Sequence, residues 1–433
     1  MKICYATDHL PGYHRIWGGA EQACYRLAKL LTRNGHELAV LSTKPLKKPE
    51  EDFDFFQIPV FEDLLPQRAR YLIRQIKTAF IPYDPISHIF CHRLLKRIKP
   101  DVLHLHNFYS LSLALVWSAH RLGIPMVCSI YDYGAICPMG HLWLLKDYAT
   151  YEGTPCRKFH GPHCFDCLSS YRKPGPFLRF LLFPLLSLRK RVYDFFLRRI
   201  DCFAVLSPSN ATVLMEYGIE EEKTFVIPIP LSDKIEAQPV EQDSILYVGW
   251  IQPRKGPHIV VEAMPQILNR IPNAKLYLIG EQRSNKEYQR RMAALLNRQG
   301  LEGHVFLLGR RPYHEVRDFM QKANVVVIPE QWETIPPNAL TESLVLGKAL
   351  VASRIGGVLD FIRDGENGLM AGASEPADFA EKIVSILEDE ALMERLCKGA
   401  AATGHDLFSE DSVYRRLLNL YHSVQGAKNP AHM

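Results

Sequence analysis

The clearest order in the chain is an alternation of short apolar runs with longer stretches of helical period. Lys2–Thr7, Glu37–Ser42, Val102–His106, Pro125–Ile130, Asp201–Ser207 and Lys223–Ile229 form a first set of runs. Ser244–Gly249, Lys275–Gly280, Val305–Gly309, Val325–Ile328 and Ala349–Ala352 form a second. Their apolar residues are consecutive rather than alternate, which predicts strands buried on both faces, as in a parallel sheet covered by helices. Ala23, Leu27, Leu30 and Leu31 keep helical spacing until Gly35, and Pro257–Leu268, Asn338–Gly347, Pro376–Lys398 and Ser409–Val424 also read as helical. The pattern predicts an α/β protein with two doubly wound, Rossmann-like domains. Residues 1–230 form the first, the polar segment 231–243 links them, 244–405 form the second, and 406–433 carry a terminal helix. Two stretches resist this reading. Phe53–Lys99, with Arg68, Arg70, Arg74, Lys77, His92, Arg93, Lys96, Arg97 and Lys99, reads as irregular with a solvated charged face. Phe177–Arg199 mixes Phe and Leu with Arg179, Arg189, Lys190, Arg191, Arg198 and Arg199, and Pro174, Pro176 and Pro184 predict breaks in it.

Composition adds bounds. A chain of 433 residues, 47% hydrophobic with a net charge of +5, can build two cores of ordinary size. No apolar run reaches the ~20 residues that cross a bilayer, and the first residues lack a signal peptide's central region, so a cytoplasmic protein with no nucleic-acid partner is expected. The stretch 177–199 carries what a peripheral contact with anionic lipid requires, on the inner face of the plasma membrane; a core-packed helix with snorkelling cations is its plainer reading.

Six cysteines sit singly in apolar surroundings and read as buried thiols. Cys137, Cys156, Cys164 and Cys167 fall instead in one insertion, about 137–167, the last two as Cys-x-x-Cys. They are candidate ligands of a structural zinc, with His160 and His163 as alternates; an iron–sulfur cluster, a redox pair and coincidence stay open.

Candidate chemistry lies at the carboxyl ends of the predicted strands, where ligands of such sheets bind. Gly18 and Gly19 form a turn whose amides approach a phosphate unhindered. His106, Asn107 and Tyr109 end one strand, and Tyr131 and Asp132 the next. Arg254 and Lys255 are adjacent cations at a strand-to-helix turn, suited to a diphosphate. Glu333 and Glu342 suit hydroxyl groups, and the backbone amides near Thr334–Asn338 and around Gly356 and Gly357 suit an anion. Taken singly, each charged residue is by default a solvated one, and His106 a satisfied structural histidine.

The string from Pro329 through Glu333, Glu342, Gly347, Gly356 and Gly357 to Asp364–Gly368 resembles the C-terminal signature of the retaining, GT-B-fold glycosyltransferases of family 4. GGAEQACYRLAKLLTRNGHELAVLST and YVGWIQPRKGPHIVVEA are similar to two further motifs of that family. The resemblance implies two Rossmann-like domains facing each other across a cleft, with the last helix crossing back to the first domain. It implies a hexosyltransferase that moves a sugar from a UDP- or GDP-sugar to a saccharide or lipid-linked saccharide, without a required metal. The implied donor-site residues are Gly18, Gly19, Arg254, Lys255, Glu281, Arg310, Glu333, Thr334, Asn338 and Glu342. Acceptor residues would be His106, Asn107 and Tyr109, and Glu333, Asp132, Tyr131 and Lys255 would serve catalysis. Three positions depart from the pattern. Tyr131 stands where many relatives have histidine, Trp250 where they have arginine, and one extra residue separates the glutamates. Either Pro336 or Pro337 is inserted, or Thr334 takes the first glutamate's place. A non-catalytic GT-B partner subunit and a GT-B nucleotide-sugar epimerase are the rival expectations.

Overall fold

The structure is a computed structural model that describes residues 1–15, 18–47, 49–66, 69–70, 82–138, 140–147, 152–160, 163–169, 176–231, 239–282, 286–333 and 335–428. Arg68, Arg74, Lys77, Pro174 and Thr334, and most of the expected linker, lie outside these residues.

The chain divides into two compact units: residues 1–142, 157–230 and 410–433, and residues 143–156 with 231–409. In the first, strands β1 (Lys2–Ala6), β2 (Glu37–Ser42), β3 (Asp54–Gln57), β4 (Val102–Leu105), β5 (Met126–Ile130), β8 (Cys202–Val205) and β9 (Thr224–Val226) form one sheet in the order β3-β2-β1-β4-β5-β8-β9. Every pairing in it is parallel. Its helices are α1 (Gly19–Arg33), α2 (Pro85–Ile98), α3 (Ala114–Arg121), α4 (His163–Ser169), α5 (Pro176–Leu197), α6 (Pro208–Tyr217) and α13 (Glu410–Lys428). Ile3, Tyr5, Leu38, Val40, Val102 and Val127 of the sheet meet Leu27 and Leu31 of α1 and Val413, Leu417, Leu420, Tyr421 and Val424 of α13 in one core. The three-and-four spacing of the last set is what seats the C-terminal helix on this sheet.

The second unit holds β10 (Ser244–Val248), β11 (Lys275–Ile279), β12 (Val305–Gly309), β13 (Val325–Ile328), β14 (Ala349–Ser353) and β15 (Leu369–Ala371), parallel in the order β12-β11-β10-β13-β14-β15. Helices α7 (Pro257–Arg270), α8 (Lys286–Arg298), α9 (Tyr313–Lys322), α10 (Asn338–Val345), α11 (Pro376–Glu388) and α12 (Glu390–Phe408) belong to it, as does the antiparallel hairpin β6 (Trp143–Asp147) and β7 (Glu152–Pro155). Ile245, Tyr247, Val325, Val327 and Val351 face one core, whereas Leu246, Val326, Ile328, Leu350 and Ala352 face another. The strands therefore need apolar residues at every position, which is why they read as unbroken runs.

Two expectations fail. The irregular reading of 53–99 misses β3 and α2; Ser87, Cys91, Leu95 and Ile98 are the buried residues of that helix. Asp84 caps it, its carboxylate accepting from Ile86 N at 2.9 Å and Ser87 N at 3.2 Å, with Pro85 in the first turn. The other is Pro184, which does not break α5. Proline removes one helical hydrogen bond, a loss that the remaining bonds of a helix of 22 residues can carry.

Candidate active site

In the second unit the site is built where two adjacent strands end. β10 runs into Gly249, Trp250 and a 3-10 turn at Pro253–Lys255, and β13 into Pro329, Glu330, Gln331 and Trp332. Gln331 N donates to Arg254 O at 2.9 Å and ties the two loops together. Gly256 closes the turn with a φ of +67°. A Cβ there would stand 1.7 Å from Pro329 O, so only glycine allows this approach. The Lys255 ammonium meets Glu330 Oε1 at 2.5 Å, and Trp332 Nε1 donates to Glu330 Oε2 at 2.6 Å. Glu330 is 3% exposed. Burial lowers the Lys255 pKa from its ordinary value, while the Glu330 carboxylate pulls it back up. The Arg254 guanidinium lies 4.8 Å over the Trp332 ring and 5.8 Å from that of Trp250. Glu342 is buried on α10, Asn338 opens that helix, and Glu333 is half-buried in the preceding loop. Glu281 and Arg310 are exposed just beyond β11 and β12, and the Glu281 carbonyl accepts from Ile251 N at 3.0 Å. Sequence reasoning placed a cation at Lys255 but missed Glu330 as its partner.

In the first unit a pocket opens at the ends of β4 and β5. His106, Asn107, Tyr109, Tyr131 and Asp132 all line it, together with Phe108, Leu113, Tyr193 and Leu197. Asp8, fully buried, accepts from Ser110 N and Leu111 N at 2.6 and 2.9 Å and fixes the loop after β4. Asn107 Nδ2 donates to Glu21 Oε1 at 2.7 Å, and Gly18 N donates to Glu21 Oε2 at 2.7 Å, so the glycine turn and this loop share one carboxylate. The Tyr109 hydroxyl donates to Asp132 Oδ1, which also accepts from Gly134 N at 2.7 Å.

His106 is only half satisfied. Its Nδ1 lies 3.0 Å from the Tyr131 hydroxyl, and its buried Nε2 and the buried Oδ1 of Asn107 have no hydrogen-bond partner. Behind it, the His104 ring lies tilted at 4.1 Å between ring centroids and bonds Ser129 Oγ at 2.8 Å and the Tyr421 hydroxyl at 2.7 Å. Burial holds His104 down to about 3, and burial, followed by the repulsion two protonated rings would feel, holds His106 well below the usual imidazole value. Burial also raises the Tyr131 hydroxyl above the ordinary tyrosine value. Both imidazoles are thus neutral near pH 7 in the folded chain, whereas the unfolded chain takes up protons below about pH 6.5. Folded pKa values below the unfolded ones mean stability is lost as pH falls. Each histidine contributes up to about 1.4 kcal/mol per pH unit below 6.5. Urea unfolding should show about 3 kcal/mol less stability at pH 5.5 than at pH 7.5 from this pair; an unchanged midpoint would contradict their burial as neutral groups.

Cys137, Cys164 and Cys167 are buried and Cys156 half-buried, and among the described residues no group of three His, Cys, Asp or Glu side chains could hold a metal. Cys164 Sγ lies 3.1 Å from Phe159 O and 3.6 Å from His163 Nε2. His160 faces the Arg189 guanidinium at 3.1 Å, and a cation beside it disfavours a divalent ion.

Comparison with known proteins decides the family. The model of glycosyl transferases group 1 matches residues 229–403, and that of glycosyltransferase family 4 matches residues 17–232. The chain is a glycosyltransferase of the group 1, GT-B type. An uncharacterized glycosyltransferase from Methanocaldococcus jannaschii is 25% identical over 97% of this chain and 98% of its own length. A D-inositol 3-phosphate glycosyltransferase from Acidothermus cellulolyticus is 29% identical over 76% of this chain and 69% of its own. The fold is that of Anabaena HepE, crystallised with UDP, at a TM-score of 0.68 and 15% identity over 98% of this glycosyltransferase and 100% of that chain. It is also that of sucrose-phosphate synthase from Thermosynechococcus elongatus, at a TM-score of 0.68 and 17% identity over 98% and 99%.

Proposed function

We propose that this glycosyltransferase is a retaining hexosyltransferase of family 4. It would take its sugar from a UDP- or GDP-sugar and pass it to an uncharged saccharide or lipid-linked saccharide in polysaccharide synthesis. The observation that carries the donor reading is the joined pair of loops at the ends of β10 and β13. There Arg254 and Lys255 stand beside Trp332, and Glu342 lies buried on the next helix. Anabaena HepE has been crystallised with UDP and with UDP-glucose, which supports a nucleotide-sugar donor.

In the reaction the acceptor oxygen bonds to the anomeric carbon as the bond from that carbon to the diphosphate oxygen breaks. The acceptor proton passes to the departing diphosphate, so no enzyme carboxylate need act as nucleophile. Arg254 and Lys255 offset the negative charge that grows on the leaving group, the electrostatic contribution that is usually largest. Glu333 would hold the sugar and Glu342 the ribose.

The acceptor reading rests on the pocket of the first unit. His106 Nε2 and Asn107 Oδ1 offer it unused hydrogen-bonding capacity, while Phe108, Leu113, Tyr193 and Leu197 offer apolar wall. No lysine or arginine is among its described lining residues, which favours an uncharged acceptor over the inositol phosphate named for several relatives.

Incubation with each nucleotide-sugar and a panel of saccharides, followed by NMR of the product, tests the reading. Release of nucleotide with an axial-to-axial outcome at the anomeric carbon is expected for an α-linked donor. Inversion at that carbon would contradict the mechanism, and an altered sugar without transfer would point to an epimerase.

A further inference from the structure

Helix α5 is turned in an unusual way. Among the described residues of Pro184–Arg199 the exposed positions are Pro184, Ser187, Leu188, Arg191 and Phe195 on the helix and Arg198 just past its end. Leu188 is 52% exposed and Phe195 44%, one heptad apart, with Arg191 and Arg198 following each by three residues. The inner face is already filled by Leu186, Tyr193, Phe196 and Leu197, and it even buries a cation, Arg189, at 2% exposure. A helix that only needed to pack would place Leu188 and Phe195 inward and Arg189 outward.

The outward pattern continues onto α3. Trp117 lies 5.9 Å from Phe195 between ring centroids, and the Arg199 guanidinium covers both rings at 5.8 and 3.5 Å. His120 and Arg121 end that helix and are exposed. Neither α3 nor its packing neighbour α2 contains an Asp or Glu, whereas α2 exposes Arg93, Lys96 and Arg97. Asp194 is the only acid in α5, and it is held by Lys190 Nζ at 2.6 Å and the Tyr217 hydroxyl at 2.5 Å. Among the described residues of α2, α3 and α5 the surface therefore combines positive charge, no carboxylate other than the Lys190-bound Asp194, and protruding large apolar side chains.

We propose that the outer face of α3 and α5 docks on an anionic lipid bilayer. Leu188 and Phe195 enter the headgroup boundary, and Arg121, Arg191, Arg198 and Arg199 meet lipid phosphates. Charge alone would also suit a nucleic acid, but an aliphatic Leu188 half in water gains nothing from a phosphate backbone. An acyl boundary takes both kinds of group. The purpose of the contact rests on the lipid-linked acceptor proposed above; the contact itself does not.

Cosedimentation of the full chain with phosphatidylcholine vesicles, with and without phosphatidylglycerol, tests it in the absence of any sugar donor. Binding should require the anionic lipid and weaken with salt. Arg191→Glu with Arg198→Glu should reduce it by at least about tenfold. Leu188→Ser should reduce it severalfold, and Phe195→Ser serves as a second variant on the same stripe, each checked to melt as the parent does. Binding that ignores lipid charge, or that survives Leu188→Ser and Phe195→Ser while a single-stranded RNA homopolymer competes it away, would overturn the proposal. Failure here leaves sugar transfer untouched, because that is read separately from product formation.

Discussion

Lys255→Ala is expected to abolish nucleotide binding and also to destabilise the fold. The first effect would follow from loss of a cation at the proposed diphosphate position, and any turnover that remains should fall by about 10²–10³. The second is specific to this chain. Glu330 is 3% exposed, and its two oxygens are taken by Lys255 and Trp332. Removing the lysine leaves a buried carboxylate without its counter-charge, which costs about 3–5 kcal/mol. Urea unfolding reads the loss directly. Lys255→Ala combined with Glu330→Gln should regain most of that stability while still failing to bind nucleotide, since Trp332 then donates to a neutral amide oxygen. If Lys255→Ala unfolds at the parent's urea midpoint, the pair is not buried as described.

Gly256→Ala is expected to be as damaging without changing any charge. Its φ of +67° disfavours any side chain, and the added Cβ would stand 1.7 Å from the Pro329 carbonyl oxygen. That oxygen is backbone at the end of a central strand, so it cannot swing aside as a side chain would. Either the turn carrying Lys255 lifts away or the end of β13 moves, and both separate the cations from Trp332. A loss above about 3 kcal/mol and no detectable nucleotide binding are expected. Gly365→Ala is the control. It shares a positive φ of +79°, but nothing lies within 4 Å of its added Cβ, so its cost should stay near about 1 kcal/mol. Equal costs for the two variants would show that the close approach to Pro329 does not matter.

The sheets were legible because burial on both faces leaves an unmistakable mark. Val325–Ile328 has no position that faces water, and its neighbours β10 and β14 are buried at nearly every position. Helix α2 was obscured for the opposite reason. Its buried residues are spaced by four and three, but His92, Arg93, Lys96 and Arg97 crowd the rest of the helix and mask that period. The signal was there in Asp84-Pro85, a capping residue followed by a proline at the start.

The site divides in the same way. Residues at strand ends could be named from the sequence because a parallel sheet presents its carboxyl ends to ligands. The pairings among them could not. Lys255 and Glu330 are 75 residues apart, and their contact depends on β10 lying beside β13. His106 meets Tyr131 because β4 lies beside β5, and His104 reaches Tyr421 only because α13 packs on the same sheet. Strand order is a tertiary fact, and no local spacing encodes it.

The central claim is that the loops after β10 and β13 hold a nucleotide-sugar. Thermal stabilisation of the purified protein by UDP-, GDP- and ADP-sugars tests it most directly, since a ligand that binds only the folded state raises its melting temperature. One nucleotide class should stabilise the parent and neither Lys255→Ala nor Glu342→Ala. No shift of the parent at saturating concentrations of any of the three would contradict the donor assignment and favour a partner subunit that keeps the fold without the activity.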